Sequence, residues 1–324
     1  MPEVHGDQAL GDTVRELLGA RHPVVAVAVI SPRGTRVASV GAEAGADFEL
    51  GSISKGITGL LYADALARGE VTPSTTVGDL LPVDGTPVAG VALASLTTHQ
   101  SGLPRLPPSS GSTRRGFALW RHGTNPYGES LDELISQTRA VRLRKPRTRY
   151  SNLGFELLGH ALARGADTTF EDLVRRRIAE PLSLDGLYVP ATPDQLRPGA
   201  LPGRTKSGRA RQPWTGEALG PAGGIRASIG DLARLATALL DGSAPGRAAL
   251  DPVTKFRGQA RIGAGWLTLP HKGRVVTWHN GATGGFRSWL GLDRQARTGV
   301  VILSATSASV DHQGFTLLAA EEGR

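Results

Sequence analysis

Phe48-Glu49-Leu50-Gly51-Ser52-Ile53-Ser54-Lys55 is the stretch on which the reading of this chain turns. The apolar residues that follow, Ile53, Ile57, Leu60, Leu61 and Ala65, recur at helical spacing until Gly69, so Ser52 opens a helix. Ser52 and Lys55 are three apart, and residues at i and i+3 share a helical face with Cβ atoms about 5–6 Å apart. The lysine amine therefore reaches the serine hydroxyl, and the pair is a candidate nucleophile with its base. For a lysine to take that proton near pH 7, its charged form must be disfavoured by about 4 kcal/mol. Burial and a helix N-terminus both act in that direction, and the same N-terminus offers the Ser52 N–H to a developing oxyanion. An N-cap serine followed by a solvated lysine has the same letters, so the rest of the chain must supply the other parts of a site.

Outward from this helix the periodicity changes. Residues 12–18 read as a short amphipathic helix with Val14, Leu17 and Leu18 on one side. Val24-Val25-Ala26-Val27-Ala28-Val29-Ile30 reads as a strand, Ser31-Pro32-Arg33-Gly34 as a turn and residues 35–40 as a second strand. From 72 to 213 the pattern is mostly helical. Ser130-Leu131-Asp132-Glu133 and Thr168-Thr169-Phe170-Glu171 have the spacing of capping boxes, and residues 151–164 carry the apolar stripe Leu153, Leu157, Leu158 and Ala161. Residues 103–127, with Pro107-Pro108-Ser109-Ser110-Gly111-Ser112, read as a long surface loop or lid, and residues 197–214 as a second, basic loop. In these loops Trp120 and Trp214 are candidates to line a cleft.

Pro221-Ala222-Gly223-Gly224-Ile225 is a tight turn or close approach, and Ser228 caps a helix reaching Asp241. The runs at 265–269, 274–278, 287–292 and 299–304 read as antiparallel strands, and residues 313–322 as a closing helix. Strands at both ends with helices between give an α/β (α+β) fold, an antiparallel sheet flanked by helices with a mostly helical insertion. The expected division is a discontinuous α/β domain of residues 9–71 and 214–324, and a helical insertion domain of residues 72–213.

Composition narrows the function classes. At 324 residues and 40% hydrophobic content the chain can bury a large core and is long enough for about two domains. The absence of cysteine excludes disulfides, thiolate metal sites and a cysteine nucleophile. A net charge of +8 raises the question of nucleic acid. Yet lysines stand only at 55, 145, 206, 255 and 272, leaving 32 of 37 basic residues as arginine in an Ala- and Gly-rich chain. No helix-turn-helix, zinc-finger or RNA-binding pattern accompanies them, so no nucleic-acid partner is expected. The strongest apolar run, 24–30, falls far short of the roughly 20 residues that span a bilayer. Glu3, Asp7, Asp12 and Glu16 occupy the place of a signal peptide's basic start, and a cytoplasmic protein with no membrane span is expected. His122, His160, His271 and His312 lack ligand spacing, so neither metal nor other cofactor is expected. There is no Gly-x-Ser-x-Gly elbow and no phosphate-binding glycine loop.

Two further stretches complete a constellation: Arg149-Tyr150-Ser151-Asn152 at the start of a helix, and His279-Asn280-Gly281-Ala282 on a late strand, followed by Thr283-Gly284-Gly285-Phe286-Arg287-Ser288. Ser-x-x-Lys, Tyr-x-Asn and a strand motif ending in Gly, in this order, resemble the penicillin-recognising serine hydrolases. That family includes class C β-lactamases, D-alanyl-D-alanine carboxypeptidases, D-aminopeptidases and β-lactamase-like esterases. Leu96-Thr97-Thr98-His99-Gln100-Ser101-Gly102-Leu103 and Pro221-Ala222-Gly223-Gly224 support the likeness, which covers roughly residues 9–320.

The resemblance implies roles. Ser52 would be acylated, Lys55 would help deprotonate it, and Tyr150 would share the base role and then protonate the leaving group. Asn152 would hydrogen-bond the substrate and Lys55. His279, Gly281 and Ala282 would lie along the substrate, with the N–H groups of Ser52 and Ala282 as the oxyanion hole.

One departure stands out: the family's strand motif usually begins with a lysine that holds a substrate carboxylate, and here His279 takes that place. Esters, or amides lacking that carboxylate, are therefore the expected small-molecule substrates, ahead of efficient β-lactam turnover. Arg287 is weighed as a substitute charge against a solvated position. His99 is weighed as catalytic against a turn histidine bonded to backbone. Arg139, Arg142, Arg144, Lys145, Arg147 and Arg149 precede Tyr150 without an intervening acid; they form a solvated run or a field steering an anionic substrate. Acyl transfer in a biosynthetic pathway, and an acylated sensor without turnover, are the alternative functions.

Overall fold

Both ends of the chain build one sheet because their apolar runs are buried on two faces. The computed structural model describes residues 3–108 and 121–321; Trp120 and the middle of the expected 103–127 lid lie outside the described residues. In chain order the strands are β1 Val4–Gly6, β2 Val25–Ser31, β3 Gly34–Val40, β4 Asp47–Glu49, β5 Gly203–Arg204, β6 Ala210–Arg211 and β7 Arg226–Ser228. They continue with β8 Thr254–Arg257, β9 Ala260–Ile262, β10 Leu267–His271, β11 Arg274–Ala282, β12 Arg287–Asp293 and β13 Thr298–Ser304. The helices are α1 Gln8–Leu18, α2 Ile53–Ala67, α3 Leu93–Thr97, α4 Leu131–Thr138, α5 Asn152–Gly165, α6 Phe170–Val174, α7 Ile229–Asp241 and α8 Asp311–Ala320.

The main sheet runs β1-β3-β2-β13-β12-β11-β10-β9-β8, and its neighbours are antiparallel throughout. The first and last apolar runs meet at its centre, Val29 opposite Val300 and Val27 opposite Ile302. Val25, Val27 and Val29 point with Val300 and Ile302 into a core shared with Leu10 and Val14 of α1 and Leu317 of α8. Ala26, Ala28 and Ile30 point the other way with Val301 and Leu303, into the core that holds α2 and α7. Burial on both faces is why these strands read as unbroken apolar runs and not as an alternation.

Several expected boundaries move. α1 begins four residues early because Asp7 caps it, accepting from Leu10 N. Ser130 and Glu133 form the expected capping box, but at the next site the cap is Thr169, accepting from Asp172 N, not Thr168. β11 extends from Trp278 to Ala282 and so carries the late motif within the sheet. The quoted stretch hides a strand, β4, whose partner residues in β7 are 177–181 residues away. Among the described residues no helix is long and apolar enough to cross a membrane.

Candidate active site

The head of α2 is pressed against the end of β11. Gly51 has φ +52, and a Cβ there would sit 2.6 Å from Ala282 N. At Gly281 a Cβ would sit 1.9 Å from Leu50 O, while Ser288 Oγ donates to that same carbonyl at 2.6 Å. Glycine at both positions is what lets serine turn and strand touch. Ser52 stands at the N-cap, yet its hydroxyl caps nothing, and its N–H donates to no backbone carbonyl among the described residues.

α2 is buried along its length from Ile53 to Ala65. Lys55 goes with it, 0% exposed, and its Nζ donates to Ser52 Oγ at 3.2 Å and to Ala222 O at 2.5 Å. Thr58 Oγ1 donates to Pro221 O at 2.8 Å, and Ser54 Oγ accepts from Ile225 N. One face of α2 thus grips the Gly220–Gly224 turn, which is the close approach expected there. Among the described residues no carboxylate pairs with Lys55; the rings of Tyr150 and Phe155 lie beside it, their centroids 4.9 and 5.9 Å from Nζ.

The third group arrives from the head of α5. Ser151 caps this helix by accepting from Gly154 N and donates to Pro104 O, and Asn152 N and Leu153 N both donate to Arg105 O. Tyr150, just before the cap, extends its Oη to 2.6 Å from Ser52 Oγ. Hydroxyl, amine and phenol therefore converge on one oxygen.

Asn152 corrects an expectation. Its Nδ2 donates to the hydroxyl of Tyr127 at 3.3 Å, its Oδ1 is buried without a partner, and it makes no bond to Lys55. The reason is geometric: Lys55 is drawn to the Ala222 carbonyl and to Ser52. Arg287 is half-buried, and its Nη1 donates to the carbonyls of Thr283 and Phe286.

The histidines at the site are neutral. His279 is buried on β11 with Nδ1 donating to Asn280 O at 2.6 Å, and burial, followed by the Lys55 charge, pushes it down to about 4. His99 accepts at Nδ1 from Ser151 N and lies 4.5 Å from the Tyr150 ring; burial and Lys55 hold it well below its ordinary value. It supports the Tyr150 turn through the backbone. Glu156, one helical turn beyond Asn152, is pushed up to about 8 by burial against the opposing charge of Lys55, and so is protonated at pH 7.

Sequence reasoning passed over Tyr127, Glu156 and a buried ion cluster behind the serine turn. Arg226 Nε donates to Asp47 Oδ1 at 2.7 Å and its Nη1 to Glu49 Oε1 at 3.2 Å, while Tyr188 Oη donates to Asp47 Oδ2. Glu49 also accepts from Trp214 N, and the Trp214 ring meets that of Tyr127 at 4.9 Å. The available signal was Asp47 and Glu49 themselves, two acids flanking Phe48. Among the described residues no group of three or more His, Asp or Glu side chains could hold a metal ion. A cavity of about 620 Å³ between Asp84, Ile135, His160 and Phe170 is lined by none of the Ser52, Lys55, Tyr150 or His279 side chains.

Known proteins resemble this chain in sequence and in fold. A β-lactamase of Escherichia coli (strain K12) is 28% identical over 193 residues, 58% of this chain and 46% of the relative. The D-alanyl-D-alanine-carboxypeptidase/endopeptidase AmpH of the same organism is 30% identical over 156 residues, 46% of this chain and 38% of the relative. The chain thus matches less than half the length of these curated relatives. The crystal structure of a class C β-lactamase from Rhodobacter sphaeroides shares the fold, with a TM-score of 0.79 at 20% identity over 98% of this chain and 99% of that one. The Beta-lactamase family profile matches residues 10–322, and the chain belongs to the β-lactamase family.

Proposed function

We propose that this protein is a serine hydrolase that cleaves an ester or amide through an acyl-enzyme on Ser52. One observation carries the reading: Tyr150 Oη at 2.6 Å and Lys55 Nζ at 3.2 Å share Ser52 Oγ, the contact a nucleophile needs with its base. The relatives named β-lactamase and D-alanyl-D-alanine carboxypeptidase support acyl transfer to water. In this reading Lys55 and Tyr150 act as a unit to take the Ser52 proton, and Tyr150 returns it to the leaving group. Ser52 N–H and Ala282 N–H receive the oxyanion, and losing one such donor typically costs about 2.7–4 kcal/mol in the transition state. Gly281 keeps β11 close to the serine turn, His279 lines it as a neutral group, and the unpartnered Asn152 Oδ1 is an acceptor for a substrate N–H.

Intact mass measurement after brief exposure to 4-nitrophenyl acetate, and separately to benzylpenicillin, tests this. The parent should gain a single acyl group from at least the ester, and Ser52→Ala should gain none. Equal labelling of both proteins would remove Ser52 as the nucleophile.

A further inference from the structure

A positive charge stands beside the Tyr150 ring, and it belongs to Arg105. The backbone of Arg105 is clamped to the head of α5, since its carbonyl accepts from Asn152 N at 2.9 Å and Leu153 N at 3.2 Å. Its side chain is exposed, with the guanidinium carbon 5.7 Å from the centroid of the Tyr150 ring. The hydroxyl of that ring is the one on Ser52 Oγ. A guanidinium over an aromatic face keeps its in-plane N–H donors available for bidentate binding of an anion. Among the described residues no carboxylate pairs with Arg105, while its charge is felt at the neighbouring Tyr127 hydroxyl.

The other basic groups named at the site are more enclosed than Arg105. Lys55 is buried on Ser52 and Ala222 O, Arg287 is half-buried with its Nη1 on two carbonyls, and His99 and His279 are held neutral by burial. We infer that Arg105 is a specificity-determining residue that binds an anionic group on the leaving-group side of the substrate. That side follows from the position of Arg105 over Tyr150, the group that hands the proton to the leaving group, so the inference rests on the serine-hydrolase reading.

The test compares two aryl acetates that differ in leaving-group charge, 3-acetoxybenzoate and 3-acetoxybenzamide, each followed by the phenol released. The quantity read is the ratio of kcat/KM for the anionic ester over the neutral one, which cancels effects common to both. Arg105→Gln should lower this ratio about ten-fold, the size of one charge-assisted hydrogen bond. Arg105→Lys should restore part of it and Arg105→Glu should lower it further. In the parent the ratio should fall as salt rises from 20 to 300 mM, and in Arg105→Gln that dependence should disappear. A ratio within two-fold of the parent's in Arg105→Gln overturns the assignment, and so does a parallel loss on both esters, which would mark a merely structural contact to α5. A parent that hydrolyses neither ester, indistinguishable from Ser52→Ala, overturns the serine-hydrolase reading itself and this assignment with it.

Discussion

Lys55 and Arg226 are both fully buried cations, and the protein treats them in opposite ways. Arg226 meets two carboxylates, Asp47 and Glu49, and two carbonyls, Asp47 O and Leu201 O, so each arm of its guanidinium is answered. Lys55 meets a hydroxyl and one carbonyl. The carboxyl that feels it, Glu156, is protonated at pH 7, and the imidazoles that feel it, His99 and His279, are neutral. A buried cation with full partners joins elements and changes little; one with few partners leaves its amine facing a hydroxyl instead of a carboxylate. The first arrangement ties β4, β7 and the 201 loop behind the site, and the second sits where chemistry would occur.

Swapping both cations for methionine is the strongest way to break this contrast. Arg226→Met strands Asp47 and Glu49 in the core and should cost about 3–5 kcal/mol in urea unfolding. Lys55→Met leaves only the Ala222 carbonyl without its donor and should change stability by less than about 2 kcal/mol, while lowering ester hydrolysis by roughly 10³-fold or more. If Lys55→Met unfolds as readily as Arg226→Met, the two cations are alike and the comparison fails.

Tyr150→Phe sharpens the same point at the other side of Ser52. It keeps the ring under Arg105 and beside Lys55 and removes the oxygen at 2.6 Å. Steady-state kinetics should show kcat reduced by roughly 10²–10⁴, the usual range for a general acid–base group, with a smaller change in KM. A kcat within a factor of three would leave Lys55 as the whole base.

The smallest effect concerns Glu156. Its folded pKa, about 8, lies above the ordinary value of 4.5, so between these values the folded state keeps a proton that the unfolded chain has released. Stability from this group is therefore present below pH 4.5 and is lost as pH climbs towards 8. Glu156→Gln removes that titration, and its stability relative to the parent should rise by roughly 2–4 kcal/mol between pH 4.5 and pH 8.5. A difference independent of pH would mean that Glu156 ionises normally and that Lys55 has a charged partner after all.

What could be read from the letters was what local geometry decides. Ser52 and Lys55 meet because they stand three positions apart at the head of a helix, and Ser151 caps α5 because a serine before an apolar stripe satisfies a free N–H. Residues 24–30 and 299–304 announced themselves as strands because burial on two faces leaves no polar position. Less was legible wherever a side chain chooses among distant partners. Arg287 turned to its own loop carbonyls, Asn152 to Tyr127 and not to Lys55, and Thr169 displaced Thr168 as a cap once α6 took its place. Asp47 and Glu49 signalled two acids around an apolar residue but not their partner, because pairing with Arg226 needs β4 and β7 side by side.

The sequence by itself determined the contact of Ser52 with Lys55, the strands that build the sheet and the helix that Tyr150 precedes, since spacing and periodicity act over a few residues. Only the tertiary structure decided that a phenol 98 residues away touches the serine, which buried cation meets carboxylates and which meets a hydroxyl and a carbonyl, and that Arg105 stands over the ring. Those outcomes depend on how desolvation and hydrogen bonding are shared among groups that meet only after the chain has folded.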